Sequence, residues 1–497
     1  MTSQITRLED DDVTRSSEAE PELNQTKLRC LQVPGTPQYE SKNPNSSRDA
    51  VLPEYPTGKN LCPLRVTHFM KHRQIHGDKK VAGICQEKLG TAVTSASSSG
   101  CRLQLGQDGK SMTLTFNEES DIEPIRCNAT WLRHNCHCPS CKQTHSGQKL
   151  FEPHELQASY KLKSAELRGE ELVLRWHGGK AEEDHEGSVP LQFLMHSLYS
   201  DAKIQKMAED RTPLTVKGRC PSVTFEEISE SDEGLFKWLH CLNEYGMCVV
   251  REVPTREGMV KEAAEKIWSI QQTIYGELFD VVSTPKPINV AYSDAKLGFH
   301  MDLAYYESPP GLQFLHCLKF DDCVEGGDSL LVDAWHVAEQ LKTSHPEHFE
   351  TLARVPATLQ KIHFDREKPV YMKYQRPHIA CNPRGDVIAV HWAPSFEGPL
   401  CVPEEDIEPY YAAYHKFAEM IELSETKVQF RLEEGDLLSF NNRRMLHARD
   451  AFVLNGGMRH LQGCYVNIDE FQSRVEVIKR RIGSEKLTRR VMNACWS

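Results

Sequence analysis

The residues of this chain whose types and order most directly imply chemistry are His300, Asp302, His447 and Arg459. Two imidazoles and one carboxylate, the first two a single residue apart on a strand or at its exit and the third from a distant strand, can occupy one face of an octahedral ferrous ion. The opposite face then stays open for a bidentate 2-oxo acid and dioxygen. Arg459 follows the distal His where it suits the far carboxylate of such a co-substrate, because a guanidinium meets a carboxylate as a planar fork. The implied chemistry is oxidative. His-x-Asp alone is a common pattern, and a core or surface His is its usual explanation. The weight comes from the third ligand and the Arg arriving in order.

A second cluster, WLRHNCHCPSC, contains Cys136, Cys138 and Cys141. Three soft thiolates and one imidazole satisfy tetrahedral Zn(II) with no open position, hence a structural duty. Spacing alone leaves the fourth ligand open among His137, His145, His177 and His185. The bland alternative is a set of free buried thiols. A zinc ribbon reading nucleic acid is opposed by the charge balance.

That balance is 59 basic against 71 acidic residues, a net charge of -12, which argues against a nucleic-acid partner. The 17 cysteines, irregularly spaced, suit reduced thiols better than a disulfide framework. No run of about 18 apolar residues is present to span a bilayer. The acidic opening MTSQITRLEDDDVTRSSEAEPE lacks an apolar signal region, so cytoplasm is the expected compartment. At 497 residues and 39% apolar content, two or three domains with at least one sizeable core are expected.

These residues need elements to position them. Residues 1–105, rich in Ser, Pro, Asn, Thr and charge, are expected to be disordered. Residues 106–205 read as a small β-rich module: SMTLTF alternates as a strand, AELRGEELVLRW reads as a hairpin turning at Arg168-Gly169-Glu170, and LQFLMHSL closes it as a short helix. Residues 215–490 read as one larger domain. A helix over GLFKWLHCLNEYG leads to the strand MCVVR, and a second helix is expected over REGMVKEAAEKIWSIQQTIYG. Strands are expected at 311–320, 329–335, 436–440 and 461–469, and in HIACN and VIAVHW on either side of the turn Pro383-Arg384-Gly385-Asp386. Helices are expected at about 334–354 and 406–423, with a charged terminal helix over EVIKRRIGSEKLTRRV. Many strands parted by turns and long insertions suit a double-sheet jelly roll, whose open end gathers ligands from separate strands. The expected class is mainly β with flanking helices: a double-stranded β-helix (jelly-roll) domain behind a small zinc-binding β-rich domain.

The segments NVAYSDAKLGFHMDLAYYESPPGLQFLHCLKF, GGDSLLVDAW, MLHARDAF and RHLQGCY resemble the gamma-butyrobetaine dioxygenase family, kin of the trimethyllysine dioxygenases and of taurine dioxygenase-like enzymes, over roughly residues 120–475. The resemblance implies Fe(II) on His300, Asp302 and His447, with 2-oxoglutarate held by Arg459 alongside Ser329 and Leu315. It implies a structural Zn(II) on Cys136, Cys138, Cys141 and His185. It implies an aromatic cage of Tyr275, Phe279, Tyr292 and Tyr465 around a quaternary ammonium, with Asn289 and Trp392 as further substrate contacts. No catalytic acid or base is needed beyond the metal ligands. The implied reaction uses O2 to hydroxylate a small trimethylammonium compound, gamma-butyrobetaine to L-carnitine, in carnitine biosynthesis, by a homodimer; a need for ascorbate is left open. Hydroxylation of trimethyllysine or another betaine is the nearest alternative, and a non-catalytic jelly roll that binds or scaffolds is the alternative of another class. The chain departs from the family pattern at several positions: Phe279 stands for Trp, Met301 for Thr, Leu303 for Tyr and Trp392 for Asn. FNNRRMLH stands for FDNWRxLH, placing Asn441 and Arg443 behind the distal ligand.

Overall fold

The computed structural model describes residues 95–96, 101–116, 123–178, 184–197, 199, 204–205, 212–283, 293–484, 486 and 488. Most of the segment expected to be disordered, together with Asn289 and Tyr292, lies outside the described residues. Within that segment, Cys101–Leu105 is a strand rather than unstructured chain, paired antiparallel with Ser111–Phe116. CRLQL alternates, burying Cys101 and Leu103 while Arg102 and Gln104 face outward, so five residues suffice for a half-buried strand.

The β-rich module has two small antiparallel sheets. One is a meander through Ser95–Ala96, Cys101–Leu105, Ser111–Phe116 and Ile125–Asn128; the other joins Leu162–Arg168, Glu171–Trp176 and His185–Pro190. Gly169, at φ +62°, makes the expected turn between Arg168 and Glu171. Both sheets bury apolar residues in one cluster, with Leu103, Met112 and Leu114 meeting Leu172, Leu174 and Trp176. The helix Ala129–His134 follows directly, its start capped by Asn128, whose side-chain oxygen accepts from the Thr130 and Trp131 amides.

The larger domain is built on two sheets. The six-stranded sheet runs in the order Phe279–Val282, Arg459–Val466, Leu312–Phe320, Leu437–Asn441, Met247–Arg251, Ser222–Thr224. The four-stranded sheet runs Leu297–His300, Met445–Arg449, Ser329–Asp333, Val428–Phe430. Side-chain alternation along the central strand LQFLHCLKF explains why it reads as almost continuously apolar. Leu312 and Phe314 join Trp238, Leu239, Val260 and Phe471 in the cluster under the helices Asp232–Tyr245, Met259–Ala264 and Ile468–Arg481. Leu315 and Cys317 turn the other way, into the cluster shared with Leu331, Val332, Leu446 and Ala448 of the smaller sheet. The jelly-roll expectation agrees with this pair of sheets sharing one core.

Three helical expectations change. The helix expected from Arg256 onward is confined to Met259–Ala264. Beyond it the chain serves as a wall: the Gln271 amide donates to Tyr465 O at 2.8 Å, and Thr273 and Gly276 close a tight turn around Tyr275. The helix expected over 334–354 is two helices, Ala334–Ser344 and Pro346–Arg354, because proline lacks an amide and bars the residue before it from helical backbone. The terminal helix spans Ile468–Arg481, starting earlier than expected. The hairpin Ala357–His363 with Val370–Arg376 was not foreseen.

Candidate active site

His300 ends the strand Leu297–His300, and Met301-Asp302 form its exit, as the sequence implies. The pairing of that strand with Met445–Arg449 sets His300 opposite His447. Their rings lie 4.1 Å apart between centroids, and His300 Nε2 is 3.5 Å from Asp302 Oδ1. One donor atom from each of the three residues falls within 4.8 Å of the others. A tight turn makes this possible: Leu303, buried, holds φ at +58°, a left-handed backbone that costs a non-glycine residue roughly 1–2 kcal/mol.

The protonation pattern leaves lone pairs where an ion would need them. His300 Nδ1 faces Gly298 O at 2.9 Å, and a carbonyl only accepts, so Nδ1 carries the hydrogen and Nε2 is free as a donor atom. Burial depresses His447 to about 3, so its imidazole is neutral. Burial pushes the Asp302 carboxyl up, but its neighbours His300 and His447 and the Tyr465 hydroxyl, which donates to it, outweigh burial and hold the group well below the usual carboxylate range. Asp302 Oδ2 is already taken, accepting from Gln313 Nε2 at 2.6 Å and from the Tyr465 hydroxyl at 2.7 Å. Oδ1 therefore remains for a metal. Two imidazoles and a carboxylate arranged in this way fit ferrous iron.

Arg459, Ser329 and Leu315 line the same cavity as the three ligands. Arg459 is 4% exposed, its Nε is buried with no hydrogen-bond partner among the described residues, and Nη2 donates to Gly327 O at 3.3 Å. Arg449 also lines the cavity, one inward position along the strand from His447. Burial lowers both guanidiniums to about 10, and each remains fully charged near neutrality. The cavity therefore contains a buried cationic end beside the ligand triad, which suits a carboxylate.

The aromatic residues separate into two groups. Tyr275, Phe279 and Tyr465 line the cavity, with Phe279 stacked on Tyr465 at 5.1 Å and 6.2 Å from Tyr275. Trp392 does not join them. Its ring packs into the core against Tyr414 at 4.6 Å and Phe417 at 5.3 Å, because its strand exit presents the backbone to the site and the side chain to the helix Glu404–Glu422. Only its carbonyl serves the site, accepting from the Met301 amide at 2.8 Å. Asn441 and Arg443 also differ from a direct ligand support: the Asn441 side chain accepts from the Arg443 amide, and Arg443 donates to Pro309 O.

Sequence reasoning missed Gln313, Asn442, Arg449 and Arg366. Gln313 was detectable as a polar residue at an inward position of an apolar strand, and Arg449 as the residue two beyond His447 on the same strand face. Arg366 reaches from the hairpin loop to Ile274 O at 2.6 Å, with its guanidinium 5.6 Å from the Tyr275 ring centre. No local pattern announces that contact.

In the β-rich module, His185 is the imidazole that meets the three cysteines. Its Nε2 lies 3.5 Å from Cys136 Sγ, 3.7 Å from Cys138 Sγ and 3.5 Å from Cys141 Sγ. Zn–S bonds of about 2.3 Å and Zn–N of about 2.0–2.1 Å at tetrahedral angles put S and N roughly 3.5 Å apart. The donor set and its spacing thus fit zinc. Gly187 makes room, since a Cβ there would stand 2.2 Å from Cys136 Sγ. His137 packs on Phe193 instead, and neither His145 nor His177 joins the four-residue cluster.

Two sheets sharing a core, with a His-Asp-His triad beside a buried arginine, define a 2-oxoglutarate-dependent dioxygenase. The chain belongs to the taurine catabolism dioxygenase TauD, TfdA family, whose model matches residues 210–465; residues 103–186 match the gamma-butyrobetaine hydroxylase-like N-terminal model. A gamma-butyrobetaine dioxygenase of Pseudomonas sp. (strain AK-1) is 33% identical over 359 residues, 70% of this chain and 90% of that protein. The human gamma-butyrobetaine dioxygenase is 27% identical over 377 residues, 74% of this chain and 94% of that protein. A trimethyllysine dioxygenase of Meyerozyma guilliermondii is 29% identical over 371 residues, 70% of this chain and 89% of that protein. Among the described residues no helix is long and apolar enough to cross a membrane.

Proposed function

We propose that this protein hydroxylates a small trimethylammonium compound, gamma-butyrobetaine first among them, using Fe(II) on His300, Asp302 and His447 and 2-oxoglutarate on Arg459. The observation that carries the reading is the convergence of Tyr275, Phe279 and Tyr465 on the cavity that also contains the triad. Ring faces attract a cation that has no hydrogen to donate, so three aromatics and, among the described residues, no lining carboxylate besides Asp302 suit a quaternary head. Fe(II) held by the triad would let dioxygen deliver one oxygen atom to 2-oxoglutarate, giving succinate and carbon dioxide, and the other to an unactivated carbon of the substrate.

The protein's own residues aim and exclude. Gln313 and Tyr465 hold Asp302 Oδ2, which fixes the carboxylate plane and leaves Oδ1 as the oxygen that would bind iron. Arg459 grips the distal carboxylate of 2-oxoglutarate, with Ser329 and Leu315 beside it. The stacked Phe279 and Tyr465 rings hold the substrate head and keep water from the reacting carbon. Cys136, Cys138, Cys141 and His185 would hold zinc as a closed structural site, which would tie the helix exit to the strand His185–Pro190. The compartment we assign is the cytoplasm, and the assembly a homodimer with two-fold symmetry.

One observation favours a different betaine over gamma-butyrobetaine. Leu303 is buried and apolar, and the Trp392 ring turns into the core, so neither offers a hydrogen bond to a substrate carboxylate. Purified protein with Fe(II) and 2-oxoglutarate should add one oxygen to a trimethylammonium compound, read by mass spectrometry in parallel with succinate. Gamma-butyrobetaine and trimethyllysine compared at equal concentration identify the substrate. Failure of the whole class, with no gain of oxygen in any member, would refute the reading.

A further inference from the structure

Arg133 lies one helical turn from the cysteine cluster and is buried in a way that an ordinary arginine is not. It is 9% exposed, and its Nη1 donates to Cys141 Sγ at 3.3 Å. Its guanidinium carbon is 5.8 Å from the Phe151 ring centre, 5.6 Å from Tyr160 and 5.9 Å from Trp176. Nε is buried with no hydrogen-bond partner among the described residues. The three rings make van der Waals and cation–π contact with the charge but bring no negative ion to it.

Among the described residues no carboxylate forms an ion pair with Arg133, although Glu155 and Asp184 line the same cavity, and a buried cation needs a close negative neighbour because taking a charge out of water is costly unless it is paired. The cysteine cluster is that neighbour. Three thiolates and one neutral imidazole around Zn(II) leave one negative charge in excess, itself largely removed from water, since Cys136 and Cys141 are each 3% exposed. We propose that Arg133 is the counter-ion of this site: it cancels the excess charge, donates an N–H to the Cys141 sulfur, and so retains zinc in the module. The inference rests on the zinc reading above and deepens it.

The box of rings explains why the residue is an arginine. A guanidinium is planar and weakly hydrated, so it can lie among aromatic faces while one edge reaches sulfur; an ammonium keeps its charge but loses the fork and the stacking. Arg133 also sits in the helix Ala129–His134, which the Asn128 cap fixes at the end of the strand Ile125–Asn128. The charge is therefore delivered by a rigid element, not by a mobile surface side chain.

The test uses the full chain in three forms: unaltered, Arg133→Met and Arg133→Lys. Zinc content is measured after purification, and zinc release is followed with an excess of a coloured chelator at neutral pH. Release from Arg133→Met should be about 10- to 100-fold faster than from the unaltered chain, the range by which outer partners change metal affinity, with Arg133→Lys in between. The second readout is the sulfur-to-metal charge-transfer band of the Co(II)-substituted chain, which should shift when the N–H···S bond is lost. This band also decides the matter with Arg133→Lys should Arg133→Met fail to fold. Equal release rates and an unmoved band in chains that each hold one zinc overturn the counter-ion role alone. An unaltered chain that holds neither zinc nor cobalt overturns the metal site and this role together.

Discussion

Asn442 holds the Asp302 peptide from both sides: its Oδ1 accepts from the Asp302 amide at 2.9 Å and its Nδ2 donates to the Asp302 carbonyl at 3.0 Å. The same Nδ2 lies 3.3 Å from Pro310 O, and Asn442 is fully buried. Asp302 is thus located by an asparagine three residues before the strand that carries His447, so the two ligand-bearing segments are joined through one amide. Replacing Asn442 by Ala leaves a buried N–H and C=O unpaired, at about 1–3 kcal/mol of stability for each such group. It should also weaken iron binding by roughly 10- to 100-fold. Chemical denaturation and metal titration of the variant check both. Unchanged iron affinity would show that Asn442 supports the fold and not the ligand.

Arg459 makes one hydrogen bond to the fold, from Nη2 to Gly327 O, and its buried Nε has no partner among the described residues, so its removal should act on the co-substrate more than on the scaffold. Arg459→Met should raise the KM for 2-oxoglutarate roughly 10- to 100-fold, since a hydrogen bond to a charged partner is worth about 1.5–3 kcal/mol. Arg459→Lys should recover part of it. The KM for the trimethylammonium substrate should move far less. Equal changes in both constants would mean that Arg459 organises the whole cavity instead of gripping one ligand.

Much of this site was legible because the ligands obey strand periodicity. His447 and Arg449 share one face of the strand Met445–Arg449, and Arg459, Leu461 and Tyr465 share one face of the strand Arg459–Val466. Trp392 shows the limit. A position in a motif gives the place of its backbone, whereas the direction of its ring depends on Tyr414 and Phe417 of a distant helix. The helical spacing after Ala264 misled for a related reason: Ile267 and Ile270 pack into one core cluster and Ile274 and Tyr275 against the other, and tertiary packing there overrides local preference. Arg366 was illegible altogether, because its contact with Tyr275 depends on how a hairpin loop folds back onto a turn far from it in sequence.

Gly463 is the residue that lets Phe279 stack on Tyr465. A Cβ at this position would lie 2.3 Å from Phe279 Cζ, so Gly463→Ala must push the Phe279 ring off Tyr465. The cost should fall on the cationic head: a KM for the trimethylammonium substrate raised about tenfold, in line with one cation–π contact of about 1–2 kcal/mol. Iron content and the KM for 2-oxoglutarate should stay unchanged. Paired KM measurements on the variant distinguish this from general damage, in which both would rise.

Glu397 gives the fold a pH dependence of its own. Its carboxyl is buried, and burial raises it to about 7 from an ordinary 4.5, with a hydrogen bond to Tyr414 offsetting part of the rise. The neighbouring His378 cannot act as its cation: Nδ1 donates to His391 O at 2.7 Å, Nε2 accepts from the Tyr410 hydroxyl at 2.8 Å, and burial holds the ring at about 4. The folded state therefore keeps a proton that the unfolded chain releases. Stability from this group is fully present below about pH 4.5 and is lost as pH rises through 7, an effect on the order of 3 kcal/mol. Glu397→Gln preserves the shape and is neutral throughout. Urea unfolding at pH 5 and pH 8 should show the unaltered chain losing stability relative to this variant as pH rises, and parallel losses in the two chains would place the titration elsewhere.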